Sequence, residues 1–127
     1  MKERIGLSDT EWRLMQIIWE KSPRTYREIC DAARPAYGWT KHAVISFLKR
    51  MEAKGAIRVE DAKPVKLYYP LLDKKEAIHD ETREVLDRVY NGDILLMVQA
   101  ATHAKELTED ETKELERLLR EGKKAHD

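Results

Sequence analysis

The residues whose types and spacing could do chemistry sit in one stretch of this 127-residue chain, Trp39-Thr40-Lys41-His42-Ala43-Val44-Ile45-Ser46-Phe47-Leu48-Lys49-Arg50-Met51. The chemistry is recognition of an anion rather than bond making. Read at helical period, Val44, Phe47, Leu48 and Met51 fall at i, i+3, i+4 and i+7 and form an apolar stripe, while Lys41, His42, Ile45 and Lys49 lie round the other side. One face needs a core and the other needs a partner. The start of this helix is distinctive as well. Ser8 with Glu11, Thr25 with Glu28, Asp73 with Glu76 and Thr108 with Glu111 each read as a capping residue followed three positions later by Glu, which sets a carboxylate against the positive helix end. Thr40-Lys41-His42-Ala43 instead follows its cap with a cation, an imidazole and a methyl, leaving free N–H groups and the helix dipole to an anion from outside.

Charge distribution points the same way. The net charge is zero, yet residues 1–72 hold 14 Lys and Arg against 9 Asp and Glu, and residues 73–127 hold 10 against 15. A polyanion partner therefore belongs to the first part. Lys41, Lys49, Arg50, Lys63 and Lys66 are candidates for phosphate contacts, which supply affinity and salt dependence. Thr40, His42, Ile45 and Ser46 are candidates for base edges, and an exposed Ile45 suits the methyl of thymine, with partial burial under the first helix as the competing reading.

The elements that must position these residues can be read in order. Leu7, Ser8, Glu11 and Trp12 make a capping box with a hydrophobic staple, and Trp12, Met15, Ile18 and Trp19 carry the first stripe to about Lys21. Ser22-Pro23 breaks the helix. Thr25 caps a second one bearing Ile29, Cys30 and Ala33, with Cys30 as a small core residue, and Pro35 with Gly38 ends it. The third helix stops at Lys54-Gly55. Period two follows: Ile57 and Val59 alternate with Arg58 and Glu60, Asp61 to Pro64 turn the chain, and Val65, Leu67 and Tyr69 alternate with Lys66 and Tyr68. Three short helices and a two-stranded hairpin with a basic tip is the order of a winged helix-turn-helix.

Beyond Pro70 the chain is helical and acidic. Ile78, Thr82, Val85, Leu86 and Val89 form one stripe, closed by Tyr90-Asn91-Gly92. Ile94, Leu95, Leu96, Met97 and Val98 with Ala100 and Ala101 are apolar around most of a helix, and Leu115, Leu118 and Leu119 make a modest third stripe. Such a helix must be covered on nearly all sides, and a second copy of the chain is the economical cover. The alternative is packing on the chain's own winged helix. The expected division is thus a winged-helix DNA-binding domain over 1–72 and a helical dimerisation region over 73–127, with Val85, Val89, Ile94, Leu95, Met97, Val98, Leu115 and Leu118 at the interface. The fold class is mainly α with a small β-hairpin.

Several function classes find little support. There is no Gly-rich phosphate loop and no Gly-x-Ser-x-Gly elbow, so an enzyme is not expected. His79, His103 and His126 lack paired ligand spacing, and neither a metal nor a cofactor is expected. A lone cysteine allows no intrachain disulfide. No apolar run approaches the roughly 20 residues of a membrane span, and Met1-Lys2-Glu3-Arg4 is unlike a signal peptide, which suggests a cytoplasmic protein without membrane insertion. A winged helix used for protein interaction, or one whose DNA binding is relieved directly by a small molecule, are the alternatives.

Leu7-Ser8-Asp9-Thr10-Glu11-Trp12, Ile17-Ile18-Trp19, Trp39-Thr40, Leu48-Lys49-Arg50-Met51-Glu52-Ala53-Lys54-Gly55 and Tyr68-Tyr69-Pro70-Leu71 together resemble the penicillinase and methicillin-resistance repressors, the BlaI/MecI/CopY family. The resemblance covers about residues 6–121. It implies a dimeric repressor that binds palindromic operators in double-stranded DNA through the third helix and wing, and a membrane sensor protease that relieves repression through cleavage in the C-terminal half. Three departures stand out. The tail Gly122-Lys123-Lys124-Ala125-His126-Asp127 has no cysteine cluster, which argues against copper sensing. His42 and Ile45 replace the Lys and Arg that the resistance repressors tend to show, so the operator sequence does not carry over. Gln99-Ala100-Ala101, where cleavage would fall, lacks the family's Asn-Phe pair.

Overall fold

The computed structural model describes residues 4–126, with side chains described through residue 122; His126 and the end of the tail lie outside the latter range. The first helix, α1 (Asp9–Glu20), starts where the capping box requires. Ser8 Oγ accepts from the Glu11 N–H at 3.2 Å, and Glu11 Oε1 accepts from the Ser8 N–H at 2.8 Å. Its fully buried residues are Leu14, Met15 and Ile18. Trp12 and Trp19, expected on the same stripe, are half-buried at its edge with ring centroids 5.9 Å apart. Trp19 still ties the fold together, because its Nε1–H donates to the Leu72 carbonyl at 2.9 Å.

After the break at Ser22-Pro23 comes an element the sequence reading lacked. Arg24–Thr25 forms a two-residue strand, β1, that pairs antiparallel with a later strand in the register Arg24↔Tyr68 and Thr25↔Leu67. Thr25 then caps α2 (Tyr26–Tyr37), which carries Pro35 in its last turn and ends at Gly38 in the left-handed conformation, φ 66°. The recognition candidate, α3 (Lys41–Lys54), follows after three residues and stops at Gly55, φ 82°. β2 (Ile57–Ala62) and β3 (Val65–Pro70) form the hairpin, and the sheet order is β1-β3-β2. The expected two-stranded hairpin is therefore a three-stranded antiparallel sheet.

The hairpin's inner face also differs from the alternation. Tyr68 is 3% exposed and belongs to the core, whereas Val65 is 47% exposed and Leu67 and Tyr69 are half-buried. The reason is tertiary: Tyr68 pairs with Val59 and shares the core-facing side of the sheet with Ile57, whereas Leu67, also flanked by two strands, falls on the opposite side. Tyr69 on the other face lies under the Arg58 guanidinium at 4.1 Å. The core itself gathers Leu14, Met15 and Ile18 of α1, Ile29 and Ala33 of α2, Val44, Leu48 and Met51 of α3, and Ile57 of β2. Cys30 is buried among them as a small apolar residue.

Among the described residues one carboxylate enters this core. Glu11 is 3% exposed, and its Oε1 accepts from Lys54 Nζ at 2.6 Å, while the same ammonium donates to the Gly6 carbonyl at 3.0 Å. The start of α1 is thereby fastened to the end of α3.

Past the sheet, α4 (Lys74–Arg88) begins with Asp73 Oδ2 accepting from the Glu76 N–H at 3.0 Å. Asn91 and Gly92, both at positive φ, turn the chain, and the Gly92 N–H donates to the Leu86 carbonyl at 2.9 Å. Then come α5 (Ile94–Ala104) and α6 (Glu109–His126). Two compact units part between Glu81 and Thr82, within α4. None of the described helices is long and apolar enough to cross a membrane.

The Glu11 site sets a pH dependence. Burial raises its carboxyl pKa, but the hydrogen bonds from Lys54 and Ser8 outweigh this and hold it below the ordinary 4.5. A depressed folded-state pKa contributes stability that is present above the unfolded value and is lost as pH falls through the folded one. Glu11→Gln keeps a residue able to serve the capping box and removes the charge. We expect it to lower stability at neutral pH by about 1–3 kcal/mol. The difference from the parent should shrink as pH drops below about 4. Urea melts at neutral and acid pH check both, and a pH-independent difference would show that the ion pair is not the cause.

Candidate nucleic-acid interface

At the start of α3, Thr40 Oγ1 accepts from the Ala43 N–H at 3.1 Å, an ordinary N-cap. No acidic residue occupies the first turn. The first turn of α5 also lacks an acidic residue. There the cap itself is Asp93, whose Oδ1 accepts from the Leu96 N–H at 3.1 Å. Among the described helices, α3 is the one with no carboxylate at either its cap or its first turn.

This start is held from two sides. Trp39 stacks on Tyr37 with centroids 4.6 Å apart and meets Phe47 edge-on at 5.6 Å, and Arg50 lies over Phe47 at 5.4 Å. The residue just before the cap is thus packed onto the helix it opens. On the other side, the Tyr26 hydroxyl at the start of α2 donates to the Lys41 carbonyl. Burial, followed by its interactions with Cys30, pushes Tyr26 up to about 12, so the hydroxyl keeps its proton at neutral pH.

The exposed face between these supports carries Thr40, Lys41, His42, Ser46, Lys49 and Arg50, all exposed, and the wing adds Lys63 and Lys66, also exposed. Among the described residues none of Lys41, Lys49, Arg50, Lys63 and Lys66 is in an ion pair, although Asp61 stands opposite Lys66 in the hairpin register. Cations elsewhere, such as Lys54, Arg58 and Arg117, are paired. Ile45 departs from expectation. It is half-buried and borders a groove shared with the start of α2 and the sheet.

Ile45 lines a groove of about 380 Å³ whose other walls are Thr25, Tyr26, Arg27, Val65, Lys66 and Tyr68. Arg27 and Val65 are not among the contacts expected from the sequence. Val65 was legible only as one apolar residue of a strand, and Arg27 only as one charge in a basic stretch; their meeting depends on how α2 and the hairpin pack.

The residues expected at a subunit interface lie in α4, α5 and α6. Val85, Met97, Val98 and Leu115 are half-buried, and Val89, Ile94, Leu95 and Leu118 are exposed. Neither α4 nor α5 has a buried residue, and Leu95 is 73% exposed. Leu96 and Leu119, not among the interface candidates, are exposed as well.

Comparison with known proteins adds four likenesses. A family model described as penicillinase repressor matches residues 7–121. The penicillinase repressor of Bacillus licheniformis is 28% identical over 97% of this chain and 96% of its own length, and the methicillin resistance regulatory protein MecI of Staphylococcus aureus is 24% identical over 89% and 92%. The solution structure of the Bacillus licheniformis BlaI monomeric form in complex with the blaP half-operator aligns with a TM-score of 0.53 at 26% identity, covering 60% of this chain and 93% of that one.

The bare start of α3 yields a substitution that separates stability from binding. In Ala43→Glu the new carboxylate stands at the third helical position, where it completes a capping box with Thr40 and complements the dipole, worth about 0.3–1 kcal/mol. It also stands where a phosphate would approach. Thermal stability should hold or rise, while affinity for duplex DNA falls about tenfold or more, which is about 1.4 kcal/mol. Melts and anisotropy titrations check the pair, and unchanged affinity would remove the N-terminus of α3 from the interface.

Proposed function

The chain belongs to the penicillinase repressor family, and from that premise we propose that it is a dimeric, sequence-specific DNA-binding transcriptional repressor that sets α3 in the major groove and the wing on the backbone. The observation that carries the DNA-facing geometry is the carboxylate-free start of α3, flanked by cations that form no ion pair among the described residues. A helix end of this kind attracts a phosphate and aims the following side chains at base edges. Lys41, Lys49, Arg50, Lys63 and Lys66 are assigned to phosphates, and Thr40, His42, Ile45 and Ser46 to bases. In this reading residues 1–72 bind DNA and residues 73–127 hold the dimer. The same reading locates the protein in the cytoplasm, where its DNA is.

Dimerisation through the C-terminal helices is supported by their exposed apolar residues, which a second copy related by two-fold symmetry would cover. Two-fold symmetry in turn implies a palindromic operator with half-sites about 34–36 Å apart, or a multiple of that distance. Relief of repression by a membrane sensor protease acting near Gln99-Ala100-Ala101 is the regulatory reading that goes with the family. Those residues lie in the second half of α5, where Thr102 Oγ1 donates to the Gln99 carbonyl at 3.0 Å, so a protease would need that turn opened.

Two measurements test the proposal. Binding to a duplex selected from a random library should fall steeply with salt, with a log–log slope steeper than about −4, at roughly −0.9 per neutralised phosphate. Indifference to salt would refute the phosphate assignments. Leu95→Asp should convert the dimer to a monomer in sedimentation and weaken operator binding at least about tenfold, because the second half-site no longer arrives with the first. A variant that remains dimeric would move the interface elsewhere.

A further inference from the structure

We infer that the groove between the start of α2, the middle of α3 and the wing strand β3 seats one sugar–phosphate unit of the DNA backbone, and that Arg27 and Val65 are DNA contacts alongside Ile45 and Lys66. The inference rests on the DNA-binding reading above and extends it to the groove that lies between α2, α3 and the wing strand. The groove, about 380 Å³, is walled mainly by hydrocarbon: the Ile45 and Val65 side chains and the ring of Tyr26. Two cations stand among these walls, Arg27 from α2 and Lys66 from β3, and neither is in an ion pair among the described residues. An apolar surface with two free cations fits an apolar ring that carries an anion at each side, which is what a deoxyribose with its two flanking phosphates presents.

The neighbouring groups favour this occupant. Glu28, the carboxylate nearest in sequence to Arg27, is engaged in accepting from the Thr25 N–H at 3.0 Å. The start of α2 therefore already has its anion, and a phosphate here is held by side chains rather than by a helix end. Ile45 and Lys66 also line a smaller cleft of about 60 Å³ with Lys49 and Glu52, so the groove is continuous with the exposed face of α3, and Glu52 sets its negative limit. Val65, at 47% exposure, contributes little to the core and has no other evident role at this place in the wing.

The test uses the full chain and the duplex selected above, titrated by anisotropy at several salt concentrations. Arg27→Ala should make the log–log slope shallower by about 0.9 per half-site. Val65→Ser should lower affinity about three- to tenfold with the parent's slope, since it removes apolar contact and no charge. Val65→Ile should restore affinity, and Arg120→Ala on α6 should leave the slope unchanged. Melting temperatures of the Arg27 and Val65 variants should stay at the parent's value. Parent-like affinity and slope in both Arg27→Ala and Val65→Ser would overturn the inference, and so would an affinity loss that tracks a loss of melting temperature. A changed sedimentation state with DNA binding intact would assign the groove to a second copy of the chain and overturn it too. Failure of the parent to bind any duplex would instead defeat the DNA-binding reading itself, a result visible before any variant is made.

Discussion

The winged unit depends on burial of Val44, Leu48 and Met51, the inner stripe of α3. All three are within 1% of complete burial, against Leu14, Ile18, Ile29 and Ile57 from the surrounding elements. Each such side chain contributes about 1.5–3 kcal/mol relative to exposure. Their sum is far larger than the few tenths that any exposed cation on the same helix contributes. The rotation of α3 about its axis is thus set by its apolar side. Its polar side is free to be chosen for a partner. The Glu11–Lys54 pair fastens the far end of the helix, and the Tyr37–Trp39–Phe47 stack fastens the near end. A helix pinned at both ends presents Lys41, His42 and Ser46 in a fixed geometry, which is what base reading requires.

The electrostatics of the unit leave some local stability unused. Four helix starts place a Glu at the third position, with the reciprocal bonds seen at Ser8, Thr25 and Thr108. The start of α3 forgoes that gain, about 0.3–1 kcal/mol. Placing Lys41, Lys49, Arg50, Lys63 and Lys66 outside any ion pair among the described residues likewise costs some mutual repulsion. These choices are explicable together if the missing negative charge comes from DNA, and they have no account in terms of the isolated chain.

The C-terminal helices have a different basis for stability. In α6, Arg117 bonds to both Glu114 and Glu121, and Thr108 with Glu111 closes a capping box, so much of this helix is supported from within its own sequence. In α5 the support is not local. Its apolar residues Ile94, Leu95 and Leu96 are exposed, and its stability has to come from whatever covers them.

What the sequence determined by itself was every feature whose physics is local. Helix starts at Ser8, Thr25, Thr40, Asp73 and Thr108 followed from caps that bond three residues away, and the stops at Gly38, Gly55 and Gly92 from a backbone conformation that glycine adopts without a clash. The α3 stripe, the hairpin and the core placement of Cys30 followed from period and polarity. Family membership was legible too, because its motifs are continuous stretches. Tertiary structure alone decided the rest. A two-residue strand has no periodicity to read, and Arg24–Thr25 became β1 only because β3, more than forty residues later, offered its free edge. Tyr68 rather than its neighbours entered the core because the register sets it beside Val59 on the sheet face that packs on the helices. Glu11 was legible as a capping residue, whereas its burial and its bond to Lys54, forty-three residues later, come from packing. The meeting of Arg27, Ile45 and Val65 in one groove is of the same kind. A cap or a period is set by bonds spanning a few residues, whereas a groove is set by packing that brings distant segments together, and one sequence alone does not print that distance.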